Sequence, residues 1–309
     1  MVNTLHQKPF LDYTSQINIL KNKKLMINDE SYAAYILSKI SYYSLINGYK
    51  DSFKDHYTHN FFPDTDFQDI YNLYLLDVEL RGIFLKYILI LEKNVKSSIS
   101  YHFSQLYGNG IAFYQNSVNY DYGTHISDVQ YLFKKMNQKI KGKNPSPQVS
   151  HYMKIYNDVP LWVLTTDLTI GEISAMFRYL KGHCKTLVCN DFHNIGRAEL
   201  GKMLIMLTKF RNICAHGNRL FNTHTGDHIM DCVVHQKLHI KKTGTLYNYG
   251  KSDLFAAIIC LKYLLDHDDF RSFYMELKKT LKIYQPSESI LQTMGFPDNW
   301  MSILRIKAY

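Results

Sequence analysis

Apolar residues recur along most of this chain at the three- and four-residue spacing of one helix face, and hardly anywhere at the alternating spacing of a strand. The longest run of that kind covers 66–106, from Asp66 behind Pro63 to a stop at Gly108. At a rise of about 1.5 Å per residue it predicts a helix of about 60 Å. Shorter helices are predicted over 14–24, 127–141, 148–157, 171–181 and 197–215, and from an Asn28/Ser31 cap to Leu45, with Gly48 as terminator. Residues 252–266, SDLFAAIICLKYLLD, are apolar on nearly every side, which predicts a helix buried all round, and two or three more helices follow it.

The helical period fails in three places. Gly and Asn mark 107–124 as a loop, and Gly142-Lys143-Asn144-Pro145-Ser146-Pro147 reads as a linker. Between 222 and 250 His, Gly, Thr and Lys dominate, and a short hairpin is expected near 237–249, turning at Lys242-Thr243-Gly244. The expected fold is therefore all-α, a helical bundle with one short β-hairpin. Residues 1–145 hold the long helix and 146–309 the later helices, as two regions or as one continuous domain.

Composition adds limits rather than a function. Hydrophobic residues make up 46% of the 309, enough for a substantial core. The formal net charge of +9 has the sign expected of a protein that meets nucleic acid, and 25 tyrosines offer rings able to stack on bases as well as to fill a core. Five cysteines without framework spacing, and an opening MVNTLHQKPF unlike a signal peptide, lead us to expect a reduced, cytoplasmic protein. The longest apolar run, Gly82 to Leu91, is broken by Lys86 and stopped by Glu92-Lys93, so no membrane segment is expected. No Walker or G-x-G-x-x-G pattern occurs.

Chemistry concentrates in Lys209-Phe210-Arg211-Asn212-Ile213-Cys214-Ala215-His216, continuing Gly217-Asn218-Arg219-Leu220-Phe221-Asn222. A permanent cation answers charge building on phosphoryl oxygens, and an imidazole moves protons near neutrality. Asn212 and His216, four apart, share a helix face, while Arg211 lies about 140° round the axis from His216. Gly217 reads as the residue that ends the helix, which puts His216 in the last turn, where the dipole favours an imidazolium. A solvated, dipole-matched helix end is the plainer reading of the same residues. Cys214, about 160° from that face, is expected to pack inward.

A second cluster, His183-Cys184 with Cys189 and His193, superficially resembles a zinc ligand run; Cys232 with His235 is its only partner motif. The spacing misses the usual knuckle, so buried thiols and surface histidines are expected, with no metal and no cofactor. Lys134, Lys135 and Lys139 on the 127–141 helix are candidate RNA-phosphate contacts, with a solvated helix face as the alternative. Glu92 and Lys96 form an i,i+4 pair.

The string RNICAHGNRLFN resembles the C-terminal signature of the Abi-like abortive-infection proteins (the AbiD/AbiF group), a branch of the HEPN superfamily whose RNases carry Arg-x-x-x-x-His. Three upstream blocks agree, in the same order: LMINDESYAAYILSKISYYSLINGYKDSF, FQDIYNLYLLDVELRGIFLKYILILEKNVKSSISYHFS and PLWVLTTDLTIGEISAMFRYL. With the signature they cover residues 25–222. The resemblance implies a HEPN-like C-terminal part and a metal-independent endoribonuclease of a phage-defence or toxin–antitoxin system. It would cut RNA by 2′-OH attack, with Arg211, Asn212 and His216 as catalytic residues. It also implies a homodimer, because such RNases set two motifs face to face across a two-fold axis. Arg219 and Asn222 match the family's trailing R-L-[WF]-N, to bind RNA or to anchor the turn after the helix, and Glu92 matches a carboxylate in its long-helix block, positioned to orient the catalytic Arg. The alternative that the resemblance leaves open is a non-catalytic RNA-binding module acting with a noncoding RNA.

Overall fold

A computed structural model describes residues 9–193 and 195–307. The fold is all-α, and among the described residues the sheet structure is limited to Lys242–Thr243 paired antiparallel with Leu246–Tyr247, plus isolated bridges. The chain divides into two compact units, Met1–Glu79 with Thr280–Ile290, and Leu80–Lys279 with Leu291–Tyr309. No helix among the described residues is long and apolar enough to cross a membrane.

The first unit begins with helices Tyr13–Asn22 and Glu30–Lys39. The single helix expected to Leu45 is in fact two. Asp29, rather than Asn28 or Ser31, caps the first by accepting from the Tyr32 amide at 2.8 Å, and the Asn28 amide donates to Asp66 instead. Ile40 turns extended, and Ser41 then caps Tyr42–Tyr49, its hydroxyl accepting from the Ser44 amide at 3.1 Å. A capping serine in mid-run gives the backbone an alternative to the helix ladder, which apolar periodicity alone does not register. Gly48 lies inside that helix and does not end it. The buried Asp77 accepts from the Tyr49 hydroxyl at 2.8 Å.

The long helix is one element, Phe67–Tyr107. From Leu80 onward it belongs to the second unit, where Leu80, Phe84, Ile88, Leu91, Val95, Ile99 and Phe103 form its buried stripe. The centre of this unit is the helix Leu254–Leu264, whose residues are all buried, as its all-round apolarity predicts. Asp253 caps it, accepting from the Ala256 amide at 2.9 Å and from the Gly250 amide at 2.8 Å.

Helix Arg197–Ala215 packs against Leu254–Leu264 and against Ile170–Tyr179. Leu200, Met203, Leu204, Leu207, Phe210 and Cys214 point inward at three- and four-residue spacing. The opposite stripe, Lys202, Ile205, Lys209, Asn212 and His216, is half-buried or exposed. Helices Ile126–Lys141 and Pro147–Tyr156 flank the expected linker, with Pro147 starting the second. The apolar runs at Leu161–Asp167 and Gly182–Asn190 also fold as helices, each too short to show a period. His267–Tyr284, Glu288–Thr293 and a final 3₁₀ segment Trp300–Arg305 close the chain.

Candidate active site

The end of helix Arg197–Ala215 is built by its own sequence. The Asn218 amide donates to the Ile213 carbonyl at 3.0 Å and the Gly217 amide to that of Cys214 at 3.2 Å, a complete Schellman closure. Gly217 takes φ +68°, a conformation that favours glycine. His216 is the cap residue, one position past the last helical residue, and its amide still donates to the Asn212 carbonyl at 3.0 Å. Asn212 and His216 are both exposed, and the imidazole makes no hydrogen bond among the described residues. Cys214 is buried.

Arg211 turns the other way, toward the long helix. Its Nε lies 3.8 Å from Glu92 Oε2, while Glu92 Oε1 accepts from the Lys96 ammonium at 2.7 Å. The Glu92 side chain is only 7% exposed, against 14% for Lys96 and 28% for Arg211. One buried carboxylate therefore stands between two cations, the arrangement in which an ionised carboxylate survives away from water. The facing atoms, Glu92 Oε2 and Arg211 Nε, are buried and lack hydrogen bonds, since 3.8 Å is beyond hydrogen-bond length. The guanidinium is thus held electrostatically without being locked by a short bond. Sequence spacing pairs Glu92 with Lys96 and the family resemblance points it at the catalytic Arg; the packing of two helices sets Glu92 beside both Lys96 and Arg211.

Beside this trio lies a cavity of about 520 Å³ lined by Leu89, Glu92, Lys96, Trp162 and Thr165 among others. Trp162 and Thr165 come from Leu161–Asp167, a helix that periodicity missed but that Pro160 just before its first residue announces. The Arg81 guanidinium reaches within 3.5 Å of the Asn218 carbonyl, so the long helix also meets the turn after the signature. Arg219 is exposed and Asn222 half-buried in the segment that follows, where the Thr223 hydroxyl donates to the Arg219 carbonyl at 2.7 Å. Lys134 is exposed, Lys135 and Lys139 are half-buried, and Lys135 sits 5.2 Å from the Tyr131 ring centre. No hydrogen bond or ion pair joins these lysines to Arg211 or Glu92 among the described residues.

The cysteine and histidine cluster has other uses. Cys184 and Cys189 are buried on Gly182–Asn190, and burial pushes their thiols up to about 12 and about 11, so both stay protonated. Cys232 Sγ lies 3.0 Å from His235 Nδ1, which also accepts from the Cys232 amide at 3.1 Å. His235 Nε2 faces the Gly250 carbonyl at 2.8 Å, and a carbonyl only accepts, so the ring proton is on Nε2. Both ring nitrogens are occupied internally, and burial lowers the imidazole's proton affinity.

A family model described as Abi-like protein matches residues 35–222, more than half of the chain. No curated protein and no solved structure matches.

Proposed function

The chain belongs to the Abi-like protein family, whose role is abortive infection, and from that membership we propose that it is a metal-independent, HEPN-type endoribonuclease. In this reading His216 takes the proton from a ribose 2′-OH, whose oxygen attacks the adjacent phosphorus. The bond to the 5′-oxygen breaks as that oxygen receives a proton, leaving a 2′,3′-cyclic phosphate and a 5′-hydroxyl. Arg211 stabilises charge on the phosphorane oxygens, Asn212 positions the phosphate, and Glu92 aims Arg211. A second copy across a two-fold axis supplies the other imidazole, so that one acts as base and its mate as acid. Requiring the 2′-OH restricts cleavage to RNA. Arg219 and Asn222 anchor the turn after the signature helix.

The observation that carries this reading is a solvent-open imidazole at a glycine-closed helix end, five residues from a cation held by a buried carboxylate. Incubating wild type, Arg211→Ala and His216→Ala with RNA in EDTA, with product ends determined, tests it. Wild type alone is expected to cleave, leaving 5′-hydroxyl ends, with each substitution lowering the rate by about 100-fold or more. Equal rates in all three would remove Arg211 and His216 from the chemistry. The engagement of Arg211 with Glu92 also suits a purely structural cation in a non-catalytic RNA-binding module. RNA binding with no cleavage by wild type under any condition would select that second reading.

A further inference from the structure

A cavity of about 670 Å³, away from the Arg211 trio, opens between Ile170–Tyr179, Gly182–Asn190 and the start of Arg197–Ala215. Four cations line it, Arg178, Lys185, Arg197 and Lys202, against the carboxylates Asp121 and Asp227. Asp227 is already ion-paired with Lys209 at the rim, and the lining keeps an excess of positive charge. The cations crowd one another. Burial, with the adjacent Arg197 adding to it against the pull of Asp121, brings the Lys185 ammonium below its ordinary range. The Arg197 guanidinium fits against bare backbone, since a Cβ added at Gly182 would lie 2.6 Å from its Nη1. Phe177 and Ile205 contribute an apolar floor.

The cleft does not stop at its own edge. Its lining residues Ala198, Lys202 and Ile205 continue along the same helix face, at three- and four-residue spacing, through Lys209 and Asn212 to His216. From Lys202 to His216 that face runs about 21 Å at 1.5 Å per residue, long enough for several nucleotides. Asp227 sits among Lys209, Lys202 and Arg178, all of which hold its carboxyl below the usual carboxylate range, so it occupies a place suited to an external anion.

We propose that this cleft binds the phosphate backbone of single-stranded RNA, with Arg178, Lys185, Arg197 and Lys202 on successive phosphates and Lys209 leading the strand to Asn212 and His216. The inference rests on the RNase reading for where the strand ends, but the binding itself does not require cleavage. The apolar floor takes a ribose or base face. Asp227 acts as an internal competitor that the backbone displaces from Lys209.

The test is fluorescence anisotropy of wild-type protein with an end-labelled, unstructured 2′-O-methyl RNA oligonucleotide, which has no 2′-OH nucleophile and therefore survives. Arg178→Gln/Lys202→Gln, both exposed positions, is expected to weaken binding about tenfold or more and to lower the slope of log K against log salt by about 1.4, or 0.7 per lost phosphate contact. Asp227→Asn is expected to tighten binding and steepen the slope, an outcome that loss of folding would not produce. Lys134→Gln/Lys135→Gln is expected to change neither. Parental affinity and slope in the cleft variant, loss that follows Lys134 and Lys135 instead, or no binding at 50 mM salt would overturn the proposal. So would saturable binding of labelled ATP, abolished by the same cleft variant, in place of RNA. If wild type leaves ordinary RNA intact while the cleft variant loses binding, the cleft stands and the RNase reading falls. Cleavage by wild type with unchanged binding in the cleft variant gives the converse.

Discussion

Replacing Glu92 with glutamine keeps the shape of the side chain and removes the charge that Lys96 and Arg211 share. At an effective dielectric constant of about 20, the gross attraction is about 6 kcal/mol at the 2.7 Å to Lys96 and about 4 kcal/mol at the 3.8 Å to Arg211. Most of that is returned as the desolvation cost of a carboxylate that is 7% exposed. Removing one partner of a buried pair typically costs about 3–5 kcal/mol, because the remaining charge is left uncompensated. Here two like charges remain, but Lys96 and Arg211 keep 14% and 28% of their side chains in water, which places the expected loss near the lower end, about 3 kcal/mol. Urea unfolding at pH 7, with wild type, Glu92→Gln, Arg211→Gln and the double variant, measures both this loss and the Glu92–Arg211 coupling. The coupling is expected at about 1 kcal/mol. A loss under about 1 kcal/mol for Glu92→Gln, or strict additivity with Arg211→Gln, would refute the view that an ionised Glu92 holds the guanidinium.

Gly217→Ala tests the helix end on which His216 sits. A Cβ there meets nothing within 4 Å, so the cost is conformational alone, about 1–2 kcal/mol, and a fall in melting temperature of a few degrees is expected, with Gly217→Asn milder. An unchanged melting temperature would contradict the left-handed closure. Asp253→Ala removes the cap of the central helix and leaves the Gly250 amide unpaired, an expected loss of about 2–3 kcal/mol by chemical denaturation. Burial raises the Asp253 carboxyl from the ordinary range to about 6, so its folded form favours the proton. The contribution of Asp253 is therefore complete below pH 4 and declines as pH rises through 6, and the gap between wild type and variant should narrow over that interval. A gap that widens with pH would reverse the assignment.

The legible parts of the chain are those whose physics is local. The helix 197–215 folds with the bounds its sequence predicts, because an apolar stripe, a glycine able to take positive φ and the closure after it are all written within about two dozen residues. The all-round apolarity of Leu254–Leu264 likewise announces burial without naming what covers it. Where two local signals compete, periodicity is blind: Ser41 splits one expected helix into two because its hydroxyl offers a cap in mid-run. Elements of seven to nine residues, such as Leu161–Asp167 and Gly182–Asn190, are too short to show a period.

Sequence by itself determined the all-α class, the family signature and the position of Arg211, Asn212 and His216 at a helix end. The resemblance pointed Glu92 at the catalytic Arg, but only tertiary structure decided the geometry in which Arg211 meets it. Glu92 is more than a hundred residues away, and no spacing rule predicts that a carboxylate on the long helix will meet that guanidinium across a packed interface. The same holds for the cleft, where Arg178, Lys185 and Lys202 come from three helices and converge only when those helices pack. Local backbone preference sets elements and their ends; the burial of their apolar faces against one another sets which charges become neighbours.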